Sequence, residues 1–403
     1  MVADRPNDIL GTSEVCFDPS SPQFIEDPYA TYKTLRDHYP AYFSAPHNLW
    51  LITRYSDIAQ ALSDPGVWSS ARGNVVVDSA VRVGRSLGTL DPPRHDELRA
   101  IINKGVTPVR IRALLPEARE HARALIKDFE SRRAVDLVSE FSRPALNHAL
   151  ARLIGLDEEN AGRGAELVEK FLDTGDAVIG PVGTPESAAR LFEFLREQLQ
   201  RRESAGPVDP NAEDFFSVLI SAKQRGASLS DDEIAANMMT VLTAGSASVV
   251  HFFGNLMRAL WLHPEQKRAV SGNPTLIDAA IEEAVRWDTS TACFARQVMR
   301  DTEIAGVKIP ANSRALLFYA SANRDERAFE NPDRFDIHRK RVRHLGFGLG
   351  PHHCMGASTA RQLCRVLLEE LLPVIGDFEI EMGAAVRTKF IMFRGFQRLP
   401  IRF

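Results

Sequence analysis

The residues best able to do chemistry lie in one run, Phe347-Gly348-Leu349-Gly350-Pro351-His352-His353-Cys354-Met355-Gly356, followed by ASTARQLCRVLLEELL, whose apolar residues recur at helical spacing. Glycines free to take left-handed turns lead into a cysteine close to a helix start. A thiol so placed meets unpaired backbone N–H groups and the positive end of the helix dipole, which favour thiolate over thiol. Such a thiolate could be a nucleophile or a metal ligand. A nucleophile needs a general base, and His352 and His353 are near in sequence but need not face the sulfur. A buried structural cysteine in a glycine loop is the plainer alternative.

A second stripe of functional groups lies on a long apolar segment. Ser230 followed three residues later by Glu233 makes a capping box ahead of a run without a formal charge from Ile234 to Met257. Continued to about Leu262, the helix would be roughly 45 Å long. At about 100° per residue, Asn237, Thr240, Ala244, Ser248, His251 and Asn255 fall within an arc of about 80°. The polar groups on this segment are too costly for a lipid-facing span, so the helix is expected inside protein, its hydroxyls and amides satisfied by neighbouring backbone and water.

Stepping outward, helical periodicity runs from about Ser56 to Trp287, with alternating patterns at 41–54, 296–319 and from Phe378 onward. No repeat, low-complexity tract or linker divides the chain. The expected fold class is mainly α with small β-sheets, one domain over 1–403 with an extended segment over about 1–20. The 403 residues carry 49 Lys plus Arg against 53 Asp plus Glu, a net charge of −4, with 44% apolar residues. That balance excludes a disordered chain, a fibre and a polycationic nucleic-acid binder. Cys16, Cys293, Cys354 and Cys364 are too sparse for a disulfide framework, and no CxxC suggests zinc. The start of the chain reads as neither signal nor anchor, so a reduced, cytoplasmic setting without a membrane is expected.

The cysteine run resembles the signature F-G-x-G-x-H-x-C-x-G of the cytochrome P-450 family, haem-thiolate enzymes, without a mismatch. The resemblance extends over nearly the whole chain. Glu283-Ala284-Val285-Arg286 is similar to the family's ExxR pair, and SANRDERAFENPDRFDIHR to its meander, where Arg334 or Arg339 could complete the triad. Asp91 to Arg99 resembles the H-x-x-x-R helix, so His95 and Arg99, with Arg296 and His352, stand where relatives bind haem propionates. The resemblance implies haem b, with Cys354 as the proximal iron ligand and Phe347, Gly348 and Gly356 shaping its loop. It also implies the cytochrome P-450 fold, with haem between the long distal helix and the cysteine loop.

On the distal helix, Ala244-Gly245-Ser246-Ala247-Ser248 aligns with the family's A-G-x-acid-alcohol motif, in which Ala244 and Gly245 make room for oxygen. Ala247 stands where the acid is usual and Ser248 where threonine is. Ser248 keeps a hydroxyl, but Ala247 cannot carry a proton. Protons could pass through water ordered by Ser248, Thr243 or the substrate, leaving an ordinary monooxygenase that hydroxylates or O-dealkylates. The chain could instead be driven by peroxide, or reduce nitric oxide as fungal relatives with the same alanine do. A non-catalytic haem sensor is the alternative from another class.

By the same resemblance the substrate meets the segment after Trp68, residues 171–181, the distal helix with Thr240 and Ser246, residues 289–294 with Ala292 and Phe294, and residues 390–393 with Ile391 and Met392. These side chains suit a small to medium apolar or aromatic substrate. Trp68-Ser69-Ser70-Ala71-Arg72-Gly73 resembles the loop of benzoate-oxidising relatives, so Arg72 with Thr240 could hold a carboxylate. Electrons would come from a small acidic ferredoxin and its reductase, docking on Arg339, Lys340, Arg341, Arg343 and His344, and O2 would be the co-substrate. The protein is expected to work as a monomer.

Overall fold

The computed structural model describes residues 17–207, 214–340 and 343–403; Cys16 and Arg341 lie outside them. Its longest helix, Asp231–Leu262, begins as the capping box requires. The Glu233 backbone N–H donates to Ser230 Oγ at 3.1 Å, and the Ser230 N–H donates back to the Glu233 carboxylate at 2.9 Å. The helix is long and apolar enough to cross a membrane, but most of its residues are buried in the protein.

Two apolar clusters divide this helix between them. Ile234 to Leu242 pack with Phe194, Phe215, Phe216 and Leu191. Val250 to Leu260 pack with Phe141, Ala284, Leu367 and Leu371. Between the two, Thr243 to Ser248 belong to neither cluster, and Ala244 is exposed although it lies mid-helix in the interior. The gap in the core therefore falls on the Ala244-Gly245-Ser246-Ala247-Ser248 motif.

The expected β islands form small sheets. Ala41–Ser44, Leu49–Ile52, Arg314–Leu317, Phe294–Val298 and Trp68–Ser69 pair in that order. Leu49–Ile52 runs parallel to Arg314–Leu317, and Arg296 is opposite Ala315 in an antiparallel register. The C-terminal strand Pro400–Arg402 pairs with Glu379–Ile380 and with Ala134–Asp136, a strand the sequence pattern hides inside the helical band. Its three residues are too few to show an alternation.

Candidate active site

The cysteine loop is built by close backbone approach. Gly348 and Gly350 hold φ of +69° and +68°, a region that L side chains rarely enter. A Cβ on Gly350 would also come within 2.3 Å of the Leu62 carbonyl oxygen. The Cys354 N–H donates to the Phe347 carbonyl at 2.8 Å, closing the loop just ahead of the helix Ala357–Ile375.

Cys354 is set deep in the fold, yet its side chain is open to space. Burial pushes its thiol up; the N–H groups of Gly356 and Ala357, with Arg99 and Arg361, pull the other way without prevailing. The N–H groups of the helix start therefore act in the expected direction, and burial opposes them. A bound cation would supply the missing term, because a coordinated thiol is deprotonated outright.

Donors without partners gather beside the loop. His95 and His352 face each other with ring centroids 4.5 Å apart, and the Nε2 atom of each is buried without a hydrogen-bond partner. Burial, then Arg296, His95 and Arg99, hold His352 down to about 2, so its ring is neutral. Arg296, 3% exposed, donates to the Ala295 carbonyl at 2.8 Å and has no ion pair among the described residues. Arg99 holds the cysteine loop itself. Its two terminal nitrogens donate to the carbonyls of Pro351 and His353 at 2.6 and 2.7 Å, tying the helix Arg94–Ile102 to the cysteine loop.

On the helix Ile277–Trp287, Arg286 grips Glu283 through Nε and Nη2 at 2.9 and 2.6 Å. Arg339 completes the set, with Nε 3.1 and 3.2 Å from the two Glu283 oxygens. Arg334 contributes only its carbonyl, which accepts from both Arg286 and Arg339, while its side chain is exposed. The choice between the two arginines is thus made by the path of the meander.

The distal helix divides the expected roles. Ala244 faces the open space, whereas Gly245 faces Leu150, whose methyl carbons a Cβ would meet at 2.7 Å. Gly245 makes room for a neighbouring helix. Thr243 donates to the Met239 carbonyl at 2.8 Å and Ser248 to that of Ala244 at 2.6 Å, while Ala247 is 6% exposed. Asn237, His251 and Asn255 each donate to backbone carbonyls, the Asn237 carboxamide oxygen also accepts from the Leu87 N–H, and the Asn255 carboxamide oxygen is buried without a partner.

The expected substrate segments do converge. Ala292, Phe294, Ile391 and Met392 share one apolar cluster with Val75 and Val178, the Ala292 N–H donates to the Met392 carbonyl at 2.8 Å, and Ile391 to Val178 at 2.9 Å. Ser246 is half-buried. Arg72 is exposed, and the arginine that reaches Thr240 is Arg82, with Nε 3.4 Å from the hydroxyl. Sequence reading missed it, although Asp78 four residues earlier carried the spacing of an ion pair.

A family model, Cytochrome P450, matches residues 184–400. Putative cytochrome P450 123 of Mycobacterium tuberculosis is 33% identical over 403 residues, covering 97% of this chain and 98% of the relative. The chain belongs to the cytochrome P450 family. Cytochrome P450-terp of a Pseudomonas species is 30% identical, covering 93% of each chain. The solved structure of cytochrome P450 CYP109Q5 from Chondromyces apiculatus has a TM-score of 0.85 at 30% identity, covering 96% of this chain and 97% of that one.

Cytochromes P450 are oxidoreductases that bind haem b through a cysteine thiolate. The residues present fit that group. Haem b brings two carboxylates, and this P450 offers two orphaned imidazole nitrogens, the Arg296 guanidinium, which has no ion pair among the described residues, and an open sulfur. Buried donors and charges of this kind are costly unless an anion or acceptor meets them.

Proposed function

We propose that this P450 is a haem-thiolate monooxygenase of one domain, soluble and cytoplasmic, acting on a small to medium apolar or aromatic molecule. The observation that carries the site is the open Cys354 sulfur beside the orphaned His95 and His352 nitrogens. Cys354 would bind the iron, while His95, His352 and Arg296 would hold the propionates, and Arg99 would keep the loop in place. The Glu283–Arg286–Arg339 set would brace the meander behind the loop. Bound there, the haem supplies reductive O2 activation driven by the electron push of its thiolate.

The chain's own contribution on the distal side is to bind, orient and deliver protons. Ala244 leaves space, the cluster of Val75, Ala292, Ile391 and Met392 excludes water, and the Ser248 hydroxyl can accept and pass on a proton. Because Ala247 carries none, peroxide-driven oxidation or nitric oxide reduction is the second reading.

Electrons would come from a ferredoxin at the cysteine-loop side, where a surface cavity of about 370 Å³ is lined by Lys340, Arg343, His344, His353 and Arg361. Arg339 is committed to Glu283, and the His344 Nε2 lies 3.3 Å from Glu282, so Lys340 and Arg343 are the exposed cations of this set.

The deciding experiment loads the protein with haem and records the ferrous carbonyl spectrum. A red-shifted Soret band that is lost in Cys354→Ala supports the assignment, and its persistence in that variant sinks it. Product formation with NADH, a ferredoxin and its reductase against formation with added peroxide then separates the two readings.

A further inference from the structure

The segment from Arg72 to Leu90 crosses the N-terminal half of the distal helix and is pinned to it by Asn237, which accepts from the Leu87 N–H at 2.9 Å and donates to the Arg85 carbonyl at 3.1 Å. Within the segment, Arg82 is 8% exposed and donates through Nη1 to Asp78 Oδ1 at 3.0 Å. The Asp78 carboxylate is itself buried, and it also accepts from the N–H groups of Asn74 and Ser79. Gly73 makes this fold-back feasible, since a Cβ there would lie 2.4 Å from the Asp78 Cβ.

The Arg82 Nε touches Thr240, one helical turn before the exposed Ala244 and on the same stripe. Its Nη2 makes no protein hydrogen bond among the described residues, and the Oδ1 of Asn74 is buried without a partner. A Cβ on Gly88 would sit 3.0 Å from the Asn74 Nδ2 and 3.9 Å from the Arg82 Nη2, so the two side chains meet beside the same glycine. The Arg82 guanidinium thus stands one helical turn from the open space at Ala244, with the apolar cluster of Val75, Phe294 and Ile391 continuing directly from Asn74.

Charge decides what such a group can hold. The Arg82 charge is already met by a buried carboxylate, so a substrate carboxylate would be desolvated with no net cation to receive it. An uncharged oxygen acceptor pays no such penalty and gains a charge-assisted hydrogen bond from Nη2. We infer that Arg82, neutralised by Asp78, is the polar anchor of the substrate pocket and selects neutral substrates bearing a carbonyl, ether or hydroxyl oxygen over carboxylates. This rests on the monooxygenase reading and deepens it, replacing the carboxylate role that the sequence suggested for Arg72.

The test uses the haem-loaded protein and three matched probes: 4-ethylacetophenone, 4-ethylbenzoate and 1,4-diethylbenzene. Affinities are read by the Soret shift and, independently of spin state, by calorimetry. The ketone should bind more tightly than the hydrocarbon and the carboxylate by on the order of tenfold each. Asp78→Asn, which leaves Arg82 charged but unbalanced, should raise carboxylate affinity by at least about tenfold and reverse the order. Arg82→Met should erase the ketone's advantage over the hydrocarbon. A wild-type protein that binds the carboxylate as well as the ketone, or fails to bind the ketone, overturns the inference, and so does an Asp78→Asn protein with unchanged ratios. The wild-type comparison stands even where a variant does not fold. Absence of the thiolate-type carbonyl spectrum in the wild type would instead overturn the monooxygenase reading itself.

Discussion

Arg99 donates to the carbonyl of His353, the residue before Cys354, at 2.7 Å, and to that of Pro351 at 2.6 Å. One guanidinium therefore bridges the cysteine loop from a helix some 250 residues away in sequence. Lysine cannot span both carbonyls in a fixed fork. Arg99→Lys and Arg99→Ala should each cost about 2 kcal/mol of stability, as lost charge-assisted bonds do. They should also raise the share of ferrous carbonyl protein lacking the thiolate-type band. Urea titration and the carbonyl spectrum check both, and an unchanged spectrum would remove Arg99 from the support of Cys354.

Glu283 meets two buried or half-buried guanidiniums and the Asp336 N–H, so removing its charge strands both cations. Glu283→Gln should cost about 3–5 kcal/mol, the range for breaking a buried pair. Arg334→Ala, which removes an exposed side chain but leaves the carbonyl, should change stability by less than about 0.5 kcal/mol. Equal effects in a denaturant titration would contradict the geometry.

The contrast between those arginines shows what was legible beforehand. Features governed by local rules could be read directly: the Ser230–Glu233 box, the helix it opens, the glycine-rich approach to Cys354 and the Glu283–Arg286 spacing. Features that depend on which way a chain returns could not. Arg334 and Arg339 lie on one meander, and only its fold decides which guanidinium reaches Glu283. Arg72 and Arg82 lie on one irregular segment, and only the turn made at Gly73 brings Arg82 to Thr240. The thiol of Cys354 is the electrostatic counterpart, because the helix start is visible in sequence whereas the burial that outweighs it is not.

Gly245 and Ala244 are neighbours on a helix, where adjacent side chains point about 100° apart, and here Ala244 meets the open space while Gly245 meets Leu150. Gly245→Ala should force Leu150 to shift and cost about 1–3 kcal/mol, the usual range for overpacking, while leaving ligand spectra close to wild type. Ala244→Val should do the reverse, altering ligand affinities with little loss of stability. Thermal unfolding and Soret titrations of the two variants separate the roles.

His251 provides a pH dependence of defined sign. Burial, partly offset by its hydrogen bond to the Phe396 carbonyl, lowers the imidazole to about 4. The unfolded chain binds a proton near pH 6.5, whereas the folded one resists until about 4. The stabilisation is therefore complete above about 6.5 and is lost as pH falls from there towards 4. Allowing for its partial exposure, the loss should be roughly 2 kcal/mol. His251→Gln should flatten the stability profile over that interval relative to the wild type, since carboxylates titrating nearby contribute equally to both. Urea midpoints between pH 4 and 7 give the difference, and identical slopes would rule the contribution out.

On the proposed monooxygenase reading, Ser248 and Ala247 set the proton supply on the distal side. Ser248 uses its proton on the Ala244 carbonyl at 2.6 Å, leaving its oxygen free to accept and exchange protons with water or ligand. Ser248→Ala should lower product formed per NADH by at least about tenfold, the low end of what a positioned proton donor contributes, while product from added peroxide, which arrives with its protons, changes less. Ala247→Asp would place a carboxyl at a site only 6% exposed, where burial raises its pKa towards neutrality and suits it to proton transfer. It should raise the yield per NADH and leave the peroxide yield nearly constant. If both variants instead move the two yields in parallel, Ser248 acts by shaping the pocket rather than by carrying protons, and the loss at position 247 does not redirect the chemistry.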